Sequence, residues 1–298
     1  MKEFLCIDIG GTSIKFAIFS EDGQMVGSMN DVATQQTIGN TEILDTLHSI
    51  ILDKSMQHII SGVCISTAGV VDTEQGRIQY AGYTIPGYTG TELKAYVEEH
   101  FHIPCEVEND VNCACLGEFW KGAGQGSSSM VCLTIGTGVG GAIMSGGHLW
   151  HGYSNTAGEI GYMNVNGKKF QDVASTTYLV QEINAVKGLS GDRAWNGYQI
   201  FQAAKEGDAQ SIEGIQRLVK NLVTGLTTII YLVNPQVIVL GGGIMAQEEM
   251  LKPLIEAELR QQIEDPQFLT SQICFAQQKN AAGMLGALYH FIQKQGDD

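Results

Sequence analysis

Residues 4–19 read FLCIDIGGTSIKFAIF: an apolar run, a glycine turn and a second apolar run. Short apolar runs bounded by glycines fit buried strands. The stretch therefore predicts a β-hairpin with Gly10, Gly11 and Thr12 at its tip. Around that tip stand an acid, Asp8, a hydroxyl, Thr12, and a base, Lys15. Glycines let a ligand come close to the backbone, and N–H groups exposed at such a turn can hold phosphate oxygens. Asp8 could hold Mg²⁺ through water, because Mg²⁺ prefers oxygen ligands and keeps much of its hydration. A glycine pair alone would favour an ordinary hairpin.

A second copy shifts that balance. Residues 130–144, MVCLTIGTGVGGAIM, have the same grammar, and an offset of 126 aligns Cys132 with Cys6, Ile135 with Ile9 and Gly136 with Gly10. Thr134 then takes the place of Asp8. Two hairpins of one design, one near the start of each half, predict a duplicated fold with a ligand between the halves.

The 298 residues suffice for two domains of ordinary size. With 44% apolar and 16% charged residues the composition is that of a globular, soluble chain. The formal net charge of −15 argues against nucleic acid or an anionic membrane as partner, since both recruit basic surfaces. No apolar run reaches membrane-spanning length, and no apolar leader precedes the first strand. Seven cysteines, an odd count without a secretion signal, suggest reduced thiols in a cytoplasm. Cys113 and Cys115 have no second pair to complete a metal site and read as small core residues.

Between the hairpins, residues 58–66 predict a buried strand running into the polar loop 67–72. Loops after the carboxyl ends of strands line ligand sites in doubly wound sheets. Residues 82–88 combine turn formers with Tyr83 and Tyr88, which could cover the apolar face of a sugar or simply shape a surface turn. A helix over 91–101 follows, with Thr89 or Thr91 as cap, much as Asn40 or Thr41 would cap the helix over 40–54. Residues 104–108 predict a strand that delivers Asn109 and Asp110 to a helix over 111–120. Both residues suit an N-cap. A carboxylate at that place is also set to take a proton from a substrate hydroxyl, and flanking phosphate hairpins favour this second reading, since phosphoryl transfer to an alcohol needs an acceptor base. In the second half, Glu159 lies between glycines and could orient sugar hydroxyls. His148 and His151 have no further ligands nearby and suit a role without metal. The strand over 237–240 ends in Gly241, Gly242 and Gly243, which would let a flat or anionic ligand reach the backbone.

Taken together, the motifs resemble the ROK family (repressors, open reading frames and kinases) of the actin-like and hexokinase-like ATPase superfamily. They are DIGGTSIK at 8–15, TAGVVD at 67–72, END at 108–110 with VNCACLGE after it, TIGTGVGGAI at 134–143, AGEIG at 157–161, VIVLGGGI at 237–244 and AAGMLGAL at 281–288. The resemblance implies an α/β, ribonuclease H-like fold of two lobes about a cleft, spanning 1–120 and 121–298, with the last helix packing back on the first lobe. It implies ATP with Mg²⁺ as cosubstrate and cofactor. Asp8, Gly10, Gly11, Thr12 and Lys15 match the first phosphate motif, Gly136, Thr137 and Gly138 the second, and Gly241, Gly242 and Gly243 the segment beside the nucleoside. Asp110 matches the acceptor-activating base. Thr67, Gly69, Asn109, Glu159 and Tyr162 fall at the sugar. The implied reaction moves the γ-phosphoryl of ATP to a primary hydroxyl, most often O6 of a glucose-like ring. A homodimer is the family-level expectation.

One departure bears on the sugar. Many family kinases follow the GEIG segment with a His and a cysteine cluster that binds structural zinc. Here Tyr162 follows, and no cysteine lies between Cys132 and Cys274. A tetrahedral site needs about four such ligands, so no zinc is expected. The family's His and Glu near the sugar's C1 and C2 hydroxyls are missing too. A site without those partners leaves fewer buried polar groups unpaired when C1 carries a substituent, which points to a β-glucoside such as cellobiose. Tyr162, Tyr83 or Tyr88 could stack on the added group. A glucokinase or N-acetylmannosamine kinase is the alternative. A sugar-sensing regulator would be expected to carry a DNA-binding segment ahead of the hairpin and to have lost Asp110 or the phosphate glycines.

Overall fold

The computed structural model describes residues 2–34, 41–82 and 85–296. The side chains of Asn40, Thr41 and Tyr83, named above as caps or stacking faces, lie outside the described residues. Contacts divide the chain into two units. The first comprises Met1–Gln125, His151–Thr156 and Asn280–Asp298, the second Gly126–Trp150 and Ala157–Lys279.

In the first unit β1 (Glu3–Ile9), β2 (Ser13–Ser20) and β3 (Met25–Ala33) form an antiparallel meander, and α1 (Thr41–Ser55) leads to β4 (Ile60–Thr67), parallel to β1. A small hairpin of β5 (Val70–Asp72) and β6 (Arg77–Tyr80) precedes α2 (Leu93–Phe101). Then β7 (Cys105–Asn109) joins the sheet and runs straight into α3 (Asp110–Lys121). The strand order is β3-β2-β1-β4-β7. The apolar runs are continuous because β1 is covered on both faces. Leu5, Ile7 and Ile9 enter one core with Ile43, Leu47 and Val97. Phe4 and Cys6 enter another with Leu285, Leu288 and Phe291. The cap expected for α2 differs. Its N-cap is Glu92, without a side-chain bond, because Thr91 Oγ1 donates to Tyr88 O and Thr89 Oγ1 accepts from Ala81 N–H instead.

The second unit repeats the plan. It holds β8 (Ser129–Ile135), β9 (Val139–Ser145), β10 (His148–Leu149), the pair β11 (Asn164–Val165) and β12 (Lys168–Lys169), then α4 (Gln171–Ala174), α5 (Thr176–Lys187), α6 (Gly197–Lys205), α7 (Ala209–Val233), β13 (Val237–Gly241), α8 (Glu248–Gln262) and β14 (Gln272–Phe275). Its sheet order, β10-β9-β8-β13-β14, mirrors the first strand for strand. The repeat is not uniform at the turn. Ile9 pairs with Ile14, whereas Ile135 pairs with Val139, so residues 10–13 span the first turn and 136–138 the second. Lys15 therefore stands opposite Asp8, and Gly140 opposite Thr134.

The last helix, α9 (Ala282–Gly296), belongs to the first unit and lies along α3. Glycines make this close approach possible. A Cβ at Gly117 would overlap Ala282 O, and one at Gly286 would overlap Cys113 O. Among the described residues no helix is long and apolar enough to cross a membrane.

Candidate active site

Asp8 sits next to the end of β1, where the strand gives way to the glycine turn. Ser66 Oγ, on neighbouring β4, donates to Asp8 Oδ1 at 2.7 Å. Burial raises the Asp8 carboxyl above its ordinary range, while the Ser66 bond and the Lys15 charge oppose the rise. The second residue of α9 is Gly283, where a Cβ would stand 3.1 Å from Ser66 Oγ and 3.2 Å from Asp8 Oδ1. The start of α9 thus approaches the carboxylate, where a helix dipole favours negative charge. The turn itself is tied down from β3. Thr34 N–H donates to Thr12 O at 3.0 Å and Thr34 Oγ1 to Gly10 O at 2.7 Å.

Asn109 and Asp110 stand where β7 becomes α3. Asn109 is the N-cap, its Oδ1 accepting from the N–H groups of Val111 and Asn112 at 2.9 and 3.1 Å. Its Nδ2 donates to Gly69 O at 2.8 Å and to Asp110 Oδ1 at 3.0 Å. A side-chain amide offers two donors and two lone pairs, so all four valences of Asn109 are in use. The residue expected to hold a sugar hydroxyl is here the clamp that orients Asp110, and it reaches a hydroxyl only by releasing one of these bonds. Asp110 Oδ1 also accepts from Val111 N–H at 2.9 Å. Asp110 is half-buried, and its carboxyl is pushed up to about 6, first by burial and then by the neighbouring charge of Asp8.

Gly69 has φ +101°, and a Cβ there would press on Tyr80 O at 2.8 Å. Only glycine suits a backbone whose carbonyl must also receive Asn109. Thr67 is fully buried, and its hydroxyl shares a 2.7 Å hydrogen bond with Tyr88 Oη. Tyr88 itself is fully buried. This corrects its expected place as a stacking face, because turn formers around it hide a side chain that packs into the core under β4.

Glu108, the first residue of the END motif, went unassigned in the sequence. It is 1% exposed and divides its two oxygens. Oε1 accepts from Asn109 N–H at 2.7 Å and Asn112 Nδ2 at 2.9 Å. Oε2 accepts from His151 Nε2 at 2.6 Å, with His290 Nδ1 3.9 Å away. Burial works to raise this carboxyl, yet the His151 bond, the facing His290 and the His151 charge together hold it below its usual range. The bond to Glu108 in turn raises His151.

In the second unit, Gly136, Thr137 and Gly243 line a pocket of about 430 Å³ with Thr176, Thr177, Val180 and Gln181 from α5. Ser175 caps α5 by accepting from Tyr178 N–H, and Thr176 N–H donates to Gly136 O at 2.9 Å, fixing the helix start against the second turn. Gly138 lies beside Gln171, outside this pocket. Gly241 ends β13 against Leu133 and Ala276, and Gly242, at φ +108°, leaves no room for a Cβ above Ile135. The α5 lining was missed in the sequence; its one local signal was the Ser-Thr-Thr run at a helix start. Glu159 is exposed, yet partial desolvation still raises its carboxyl above the ordinary range. Tyr162 is 60% exposed, with Lys169 Nζ over its ring at 5.4 Å.

Among the described residues no three His, Cys, Asp or Glu side chains gather as a metal site, and the cysteines are free thiols. The chain belongs to the ROK family, whose model matches residues 4–294. It is 49% identical to an uncharacterized protein of Clostridium perfringens, with 98% of each chain covered. It is 33% identical to a beta-glucoside kinase of Listeria monocytogenes, with 97% of each covered. Among solved structures it is similar to a ROK family glucokinase of Streptomyces griseus in complex with glucose and AMPPNP, with 28% identity, TM-score 0.81, and 96% of this chain and 98% of that one covered. The fold is the actin-like, hexokinase-like α/β fold of this family.

Proposed function

We propose that this protein is a sugar kinase that moves the γ-phosphoryl group of ATP to the 6-hydroxyl of a glucose-like ring, with a β-glucoside such as cellobiose as acceptor. The observation that carries the reading is Asp110, a half-buried carboxylate raised to about 6 and aimed by Asn109 and the first turn of α3. Such a group is mostly ionised at neutral pH and basic enough to take the proton of an attacking alcohol. Little covalent work is asked of a protein in phosphoryl transfer; positioning and electrostatics do most of it. In this reading Asp110 accepts the proton from the acceptor oxygen, Lys15 and the backbone of residues 10–12 face the phosphates, and the α5 pocket receives the nucleoside.

Asp8 fits a hydrated Mg²⁺. One oxygen rests on Ser66, and a bound cation would offset the burial that disfavours the carboxylate form. When bound, the ion would neutralise charge on the phosphate oxygens. A homodimer in the cytoplasm completes the reading.

The β-glucoside acceptor is supported by the Listeria monocytogenes relative and by Tyr162 standing where a zinc-site His is expected. The glucose-bound Streptomyces griseus neighbour favours a free hexose as the second reading. ATP consumption across glucose, N-acetylmannosamine, fructose and cellobiose decides between them. A strong preference for free monosaccharides sinks the β-glucoside assignment. No consumption with any sugar sinks the kinase and leaves a sugar-sensing regulator.

A further inference from the structure

The first unit keeps a buried anion whose place in catalysis is not obvious. Both oxygens of the Glu108 carboxylate are engaged. One oxygen holds the backbone of Asn109 and the side chain of Asn112, and the other holds His151. His151 opens the stretch His151–Thr156, which belongs to the first unit although the chain on either side of it belongs to the second. The same stretch is held a second time, where Asn155 Nδ2 donates to Gln79 Oε1 at 3.4 Å.

We propose that Glu108 and His151 are a positioning pair for the phosphoryl-transfer step. Through Oε1 the pair fixes the Asn109 backbone, and through Asn109 it fixes the direction of the Asp110 carboxylate. This rests on the assignment of Asp110 as the base. Neither residue touches the reacting atoms. Their contribution is that a buried carboxylate with a cationic partner stays an acceptor on both sides, whereas an unpaired one takes up a proton and loses acceptor capacity.

The surroundings make His151 the partner that matters. His290, on α9, is almost fully buried, its Nε2 has no hydrogen-bond partner, burial lowers it, and its Nδ1 stands 3.9 Å from Glu108 Oε2, beyond hydrogen-bond reach. Glu106, on β7 itself, is paired with Lys94 at 2.8 Å and with Gln295. Lys294 of α9 pairs with Glu74 beside β5. Cys113 and Asp110 on α3 complete the titratable groups near Glu108. Of the two histidines that face Glu108 Oε2, His151 is therefore the one that hydrogen-bonds it, and that bond favours its charged form.

The test compares His151→Phe, His151→Gln, Glu108→Gln and the double variant Glu108→Gln/His151→Gln with the wild type. His151→Phe should lower kcat about ten-fold or more with sugar KM changed less than about three-fold. His151→Gln, which keeps a donor without the charge, should lower kcat less. The double variant, an uncharged amide pair, should recover most of the loss, since residues acting through one another are not additive. An unchanged kcat in His151→Phe, a change confined to KM, or no recovery in the double variant overturns the proposal. A second readout needs no turnover. The Asp110 carboxyl, followed by carbon NMR, should titrate near 6 in the wild type and shift in His151→Phe, or in His151→Gln if the former does not fold. An unmoved midpoint overturns the pair. A moved midpoint in a protein that phosphorylates no sugar upholds the pair and sinks the kinase reading alone.

Discussion

Asn109 Nδ2 stands 3.0 Å from Asp110 Oδ1 while the same nitrogen donates to Gly69 O at 2.8 Å, so a capping residue also sets the direction of its neighbour's carboxylate. A cap alone would need only the Asn109 oxygen. The use of both donors toward Gly69 and Asp110 marks this helix start as a site built for a particular carboxylate geometry.

Asp110→Asn should lower kcat by about two to four orders of magnitude, the range of a general base, with sugar affinity changed only a few-fold. Coupled ATP-turnover assays and calorimetric sugar titration measure the two quantities. Turnover within ten-fold of the wild type would remove Asp110 from the base role.

The rate should depend on pH with an acid limb. Asp110 must be ionised to accept a proton, so kcat should fall as pH drops through about 6. Stability moves the other way. The folded value lies above the ordinary ~3.9 of an unfolded Asp, so the native state binds this proton more readily. Its stabilising contribution is full below pH ~4 and is lost as pH rises through about 6. Asp110→Asn should accordingly raise Tm at pH 8 while it removes activity. A lower Tm at that pH contradicts the burial and repulsion described for the carboxyl.

Thr177→Trp should fill part of the 430 Å³ pocket at the start of α5. The expected result is an increase in KM for ATP of about ten-fold or more, with KM for the sugar unchanged. Equal effects on both would place the nucleoside elsewhere.

Gly286→Ala should destabilise the protein by about 1–3 kcal/mol, the usual cost of overpacking, because its methyl would overlap Cys113 O across the α3–α9 contact. Urea unfolding measures it. A neutral result would mean that the two helices can part without loss.

Much of this was legible in the chain, for a physical reason. A strand, a glycine turn and a return strand are local, so the repeat of residues 4–19 at 130–144 could be read before any fold was known, and the two sheets follow the same order. The one-residue difference between the turns was not legible, because register depends on which carbonyl each turn amide meets. Asp110 was singled out through its motif. Its clamp was not, since Asn109 reaches Gly69 across 40 residues. Tyr88 was misread because a glycine-rich loop looks exposed, and only the hydrogen bond to Thr67 reveals that it turns inward. The Glu108–His151 contact spans 43 residues and carries no motif.

The return of α9 to the first unit has a consequence for synthesis. The ribosome makes the first sheet first, but the helix that covers Phe4, Cys6 and Phe19 comes last. The nascent first unit must therefore wait, with one face of its sheet bare, until residues 280–296 emerge. The second unit, whose residues all lie between 126 and 279, can close its core before then. The half that begins the chain is the half that finishes folding, and a chaperone that binds exposed apolar strands would find its substrate at the amino-terminal end.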